Sequence, residues 1–177
     1  MTDPTFNECW FDVAAQATVA ELVRSVDAVD GLIIEIGAWE GRSTIAIADA
    51  AWPRVVQTVD TWAGADSDDS GHIAAGRDVK SIWQANVQAA TRGNVVAHHM
   101  DWREYVPTIT DPVAFCFIDG EHTYDEVFDN INAVVPLLAS GAVLCGDDIR
   151  HSPVSAACSH ALGGFREHGV MWSWVKP

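Results

Sequence analysis

Basic residues are scarce in this chain of 177: ten Lys plus Arg stand against 25 Asp plus Glu, a net charge of −15. Nucleic-acid binders displace phosphate counterions with clustered Lys and Arg. No such cluster occurs, which argues against polymeric nucleic acid and anionic membrane surfaces as partners. A small neutral or cationic molecule suits the charge better. No apolar run reaches the 18 residues that suggest a membrane helix. The longest candidate, Ala133 to Cys145, is interrupted by Pro136, Ser140 and Gly141. The acidic opening MTDPTFNECWFD lacks the basic-then-apolar plan of a secretory signal. There is no CxxC pair: Cys9, Cys116, Cys145 and Cys158 are scattered, two of them in apolar strand-like runs. They read as reduced, packed thiols of a cytoplasmic protein. Also missing is the third glycine of G-x-G-x-x-G, which weakens a dinucleotide reading.

What is present is a chain that is 49% hydrophobic, long enough to bury the core of one domain over residues 1–177. Apolar spacing predicts an N-terminal helix over about 11–26. Leu32 to Ile36, 54–59, 94–98, 113–118 and 141–146 read as strands, the first without alternation, as in a sheet covered on both faces. Helices are expected at 43–51, about 79–90, after Thr123 and at 155–162. Thr123-Tyr124-Asp125-Glu126 matches a capping box. Residues 61–80, rich in Gly and Asp, read as a long polar loop, and Phe165 to Val175 as a terminal hairpin or a single last strand. Strands alternating with helices imply an α/β fold with a Rossmann-like, doubly wound, mostly parallel sheet. The C-terminal strand is expected to run antiparallel.

Residues 32–60 carry the chemistry. An apolar strand holds Glu35, Gly37 and Gly41 bracket a turn, Ser43 and Thr44 open a helix, and Asp60 ends the next strand. An acid at that place can receive ribose hydroxyls. Later come Asp119 in FIDGEH and Asp147-Asp148 in LCGDDI, each just past a strand. In an open α/β sheet those strand ends are neighbours, so the three acids should converge. Carboxylates so close raise one another's pKa unless something positive lies between them. A divalent cation with oxygen ligands, such as Mg²⁺, would do so.

The turn EIGAWEGRS resembles the E-x-G-x-x-x-G-x-S turn of class I S-adenosylmethionine-dependent O-methyltransferases, notably the catechol type. Asp119 followed by the Asp147-Asp148 pair is similar to the acids of metal-dependent small-molecule O-methyltransferases, including sugar and macrolide types. The stretch from Phe117 to Ile149 resembles the macrocin-type branch, with its D-G-x-H-x-Y signature. The resemblance covers nearly the whole chain and implies an S-adenosylmethionine-dependent O-methyltransferase, assisted by Mg²⁺, acting on a hydroxyl of a small molecule. It implies cofactor contacts from Glu35, Gly37, Trp39, Gly41, Ser43, Asp60, Thr61, Asp101, Trp102 and Asp119, and metal ligation by Asp119, Asp147 and Asp148. Asp101-Trp102 fall where relatives hold the adenine.

Two bases compete. Catechol-type enzymes carry a Lys three residues after the first metal Asp, where this chain has His122. The macrocin type carries an acid two residues after it, here Glu121. Beside that resemblance the chain reads as short at both ends, and no extra N-terminal segment like the one that covers substrate in longer relatives is expected. Three other readings stay open: a metal-independent methyltransferase of the same fold, a non-catalytic nucleotide-binding module and a nicotinamide-dependent oxidoreductase. The sequence is compatible with a homodimer.

Overall fold

The computed structural model describes residues 3–177. Helix α1 (Val13–Arg24) leads into β1 (Leu32–Ile36), α2 (Arg42–Ala51) and β2 (Val56–Asp60). Next come α3 (Ser70–Ala75), α4 (Val79–Ala90), β3 (Val95–His99) and a single helical turn, α5 (Trp102–Tyr105). The chain continues through β4 (Val113–Ile118), α6 (Tyr124–Val134), β5 (Leu138–Gly146), α7 (Ser152–Leu162), β6 (Arg166–His168) and β7 (Met171–Val175). All seven strands form one sheet in the order β3-β2-β1-β4-β5-β7-β6. The first five are parallel, and β7 runs antiparallel to both β5 and β6. The terminal segment is thus a hairpin, turning at Gly169 with φ 72°. No helix among the described residues is long and apolar enough to cross a membrane.

The absence of alternation in the central strands has a direct cause. All six residues of β4 are buried, because both faces of the sheet are covered. Ile34, Cys116 and Leu144 pack on one side against Ile131 of α6 and Cys158 of α7. Ile33, Phe115 and Val143 pack on the other against Val19 and Val23 of α1 and Ile47 of α2. Burying a side chain of this size contributes about 1.5–3 kcal/mol, so the centre of the sheet is the stiff platform beneath the loops.

Three details differ from the sequence reading. The polar segment 61–80 contains the short helix α3, entered where Ser70 Oγ accepts from the Ala65 amide at 2.7 Å. The capping box at Thr123 is half formed: its hydroxyl receives the Glu126 amide, but the Glu126 carboxylate turns to Arg103 instead of returning. And β5 begins at Leu138, three residues early, across a register shift opposite Val113 and Phe115. Periodicity cannot report such an irregularity.

Candidate active site

The turn after β1 is braced from beneath. Glu35 is fully buried and accepts from Ser43 Oγ at 2.6 Å, Thr44 Oγ1 at 2.6 Å and Thr58 Oγ1 at 2.9 Å. Burial lifts its carboxyl to about 7, against the pull of the three hydroxyls. The side chain ties β1, α2 and β2 together behind the turn and does not reach the cavity wall. Gly37 is required by its own backbone neighbours: at φ 86°, a Cβ there would lie 2.0 Å from the Asp119 carbonyl oxygen. Gly41 caps α2 at φ 94°, with the Trp83 ring 3.1 Å from where a Cβ would be, and it too lies off the cavity wall. Gly37 is thus demanded by the loop after β4 and Gly41 by the side chains of α4, independently of any ligand.

Asp60 knots the loops. One carboxylate oxygen accepts from the Ala38 and Trp39 amides at 2.6 and 3.0 Å, and the other accepts from the Trp62 amide at 2.6 Å. Burial nevertheless outweighs these bonds and raises its pKa. Trp39 and Trp62 have φ 47° and 52°, a conformation costly for non-glycine residues. The Trp62 indole N–H donates to the Trp39 carbonyl at 3.1 Å. The strain is therefore held by bonds from three directions.

Above this platform, at the carboxyl ends of the strands, opens a cavity of about 750 Å³, within the usual size of a small-molecule site. Gly37, Trp39, Ser43, Asp60, Thr61, Asp101, Trp102 and Asp119 line it, as do Glu121, His122, Asp147 and Asp148. Of the expected site residues, only Glu35 and Gly41 stand outside. Asp101 also caps α5, accepting from the Arg103 amide at 2.7 Å, and the Arg103 guanidinium lies 4.5 Å over the Trp102 ring.

Beyond β4 and β5 the acids gather, and His122 lies among them. One oxygen or nitrogen each from Asp119, His122 and Asp148 lies within 4.8 Å of the others. Asp148 adopts φ 59°. Asp147 lines the same cavity, but its Oδ1 accepts from the Asp148 amide at 2.8 Å. Burial and the Asp119 charge lift Asp147 to about 7. Burial opposes charging of His122, yet Asp119, Asp148 and Asp68 outweigh it and raise the imidazole to about 9. Glu121 accepts from the amides of Asp66 at 2.8 Å and His122 at 3.1 Å. Burial opposes its ionisation too, but the Ser67 hydroxyl together with these amides prevails and its pKa is lowered.

Sequence reasoning missed an N-terminal strap. The Asn7 amide and side chain donate to buried Glu40 at 2.6 and 2.7 Å. Glu8 receives the Trp39 indole at 3.1 Å and Arg77 at 2.7 Å, and Trp10 packs 5.3 Å from Trp39. Phe6, Glu8, Trp10 and Phe11 consequently form one wall of the cavity. The available signal was Glu40, a charge set between two turn glycines.

A parallel sheet with this strand order, a reversed β7, a glycine turn after β1 and an acid closing β2 defines the class I S-adenosylmethionine-dependent methyltransferase architecture. A family model described as a methyltransferase domain matches residues 34–149, about two thirds of the chain, and the chain belongs to that family. No curated protein sequence matches it closely. Among solved structures, the O-methyltransferase NovP is 16% identical, with TM-score 0.73 over 93% of this chain and 80% of its own. A calicheamicin methyltransferase is 20% identical, with TM-score 0.69 over 90% and 77%. TomG from Streptomyces achromogenes, solved with S-adenosylmethionine, is 14% identical, with TM-score 0.66 over 94% and 81%. At such identities the likeness is one of fold.

Proposed function

We propose that the chain is a cytoplasmic, single-domain enzyme that transfers a methyl group from S-adenosylmethionine to a hydroxyl of a small molecule, assisted by a divalent cation. The observation that carries this reading is the meeting of Asp60, Asp101-Trp102 and the Asp119–His122–Asp148 cluster around one cavity. Gly41 caps α2 without a side chain, so the first amides of that helix suit a carboxylate such as the methionine end of the cofactor. Asp60 would hold the ribose and Trp102 the adenine. S-adenosylmethionine supplies the electrophilic methyl.

The donor set fits a cation: His122 Nε2 is buried without a hydrogen-bond partner and stands beside two carboxylates. A cation held there would lower the pKa of a bound hydroxyl. The chain's own residues do the rest by positioning. Each oxygen of Glu121 already accepts one backbone amide and its pKa is lowered, and His122 is enclosed by acids, so both are weak candidates for a free base in this arrangement. The metal-independent reading has one observation in its favour. A His122 raised to about 9 is a cation at neutral pH and itself offsets Asp119 and Asp148. The acceptor class is supported by charge: the cavity rim carries Asp66, Asp68 and Asp69, which disfavour an anionic molecule.

Calorimetry with S-adenosylhomocysteine and, separately, NAD tests the cofactor; binding of NAD alone overturns the proposal. Turnover unaffected by chelator would leave the methyltransferase reading standing and remove the cation.

A further inference from the structure

His122 is gripped at both ring nitrogens. Its Nδ1 lies 3.2 Å from Asp68 Oδ2, a residue of the segment between β2 and α3. Its Nε2 faces Asp148 Oδ2 at 3.1 Å and Asp119 Oδ1 at 3.7 Å. That nitrogen is buried, yet it makes no aligned hydrogen bond to either carboxylate. A proton there would be poorly used, whereas a metal ion between the three donors would use all of them. Carboxylate to imidazole to metal is the usual outer-shell arrangement of a ligating histidine, because the carboxylate fixes the tautomer and turns the free lone pair toward the ion. Asp147, one of the acids expected to ligate, has an oxygen engaged by the Asp148 amide and lies outside the converging set.

We propose that His122 is a metal ligand together with Asp119 and Asp148, that Asp68 is its outer-shell partner, and that the site prefers a nitrogen-accepting divalent ion such as Mn²⁺, Co²⁺ or Zn²⁺ over Mg²⁺. The proposal rests on the cation-assisted reading above. Mg²⁺ is hard and keeps oxygen ligands and water, while imidazole suits the later first-row ions. A consequence concerns the segment before α3. It touches the β4 loop at three points: Asp68 on His122, the Asp66 amide on Glu121 at 2.8 Å, and Ser67 Oγ receiving the His122 amide at 3.4 Å. Filling the site therefore fastens this segment along the cavity.

The test is Mn²⁺ titration of the intact protein, read by pulsed electron paramagnetic resonance, with S-adenosylhomocysteine calorimetry run on each variant. The wild type should bind Mn²⁺ with ¹⁴N modulation from one imidazole, and Mg²⁺ should displace it only in large excess. His122→Gln should lose the modulation. Asp68→Asn should weaken Mn²⁺ about 10-fold or more, as outer-shell changes do. Asp147→Asn should keep both the ion and the modulation. Bound Mn²⁺ without ¹⁴N modulation, ion binding lost in Asp147→Asn but kept in His122→Gln, or no ion bound at all would each overturn the proposal. Retained S-adenosylhomocysteine binding marks an intact pocket, so a variant that fails to fold is recognised. Loss of that binding in the wild type would count against the methyltransferase reading instead.

Discussion

Glu35→Gln isolates one buried charge from the rest of the site. In the folded protein burial moves the Glu35 carboxyl from 4.5 to about 7. The folded pKa is raised above the unfolded one, so the contribution to stability is fully present below pH 4.5 and is lost as pH rises through 7. At 1.36 kcal/mol per unit the full loss is about 3 kcal/mol, and between pH 5 and pH 8 it amounts to about 2.5 kcal/mol. Asp147, raised to about 7, and His122, raised to about 9, shift the wild type the same way over overlapping ranges. The informative quantity is therefore the difference between wild type and variant. Gln keeps the shape without the charge, and the Ser43, Thr44 and Thr58 hydroxyls can each donate or accept. Urea denaturation at pH 5 and pH 8 should show the variant losing about 2.5 kcal/mol less than the wild type across that interval. Equal losses would refute the idea that Glu35 is held in a low-dielectric bracket. Because Glu35 lies behind the turn, S-adenosylhomocysteine affinity should change no more than a few-fold; a large loss would return it to the ligand's contacts.

Asp60→Ala removes acceptors from three loop amides and the expected ribose partner, so cofactor affinity should fall by about 1.5–3 kcal/mol by calorimetry; unchanged affinity would place the ribose elsewhere. Gly37→Ala puts a methyl 2.0 Å from the Asp119 carbonyl oxygen and should cost at least about 3 kcal/mol or prevent folding, and a normal melting temperature would contradict the packing. Asn7→Ala strips the side-chain bond from buried Glu40 while the backbone amide of residue 7 stays, and chemical denaturation should show a loss of about 1.5–3 kcal/mol. A change under about 0.5 kcal/mol, typical of a neutral surface site, would mean the strap is not bound there.

The sequence exposed those parts of the fold that depend on local pattern. β1 and β4 are apolar runs because the sheet is covered on both faces, and Asp60, Asp119 and Asp148 stand at strand ends, where chain order alone predicts a cleft. Other parts depend on contacts far apart in the chain. The strap is fixed by pairs such as Thr5 with Asn86, 81 residues distant, and nothing in Phe6 to Trp10 is periodic. Helix α3 was hidden in a Gly- and Asp-rich segment of poor helix propensity; Ser70 at its start secures it through the Ala65 amide. His122 was visible as a titratable residue, but its partner Asp68 was not, since the two are brought together only by folding.

The two margins of the sheet end differently, and this bears on self-association. At one margin β6 is three residues long and reads Arg-Glu-His, short and polar enough to discourage a foreign strand. At the other, β3 offers five residues, and among the described residues no strand pairs with its outer side. Val96 there is 44% exposed, and burial lowers the pKa of His98, leaving that imidazole uncharged at neutral pH. Strand-to-strand aggregation of the native protein should therefore start at β3, and a charged side chain in place of Val96 is the simplest way to block it.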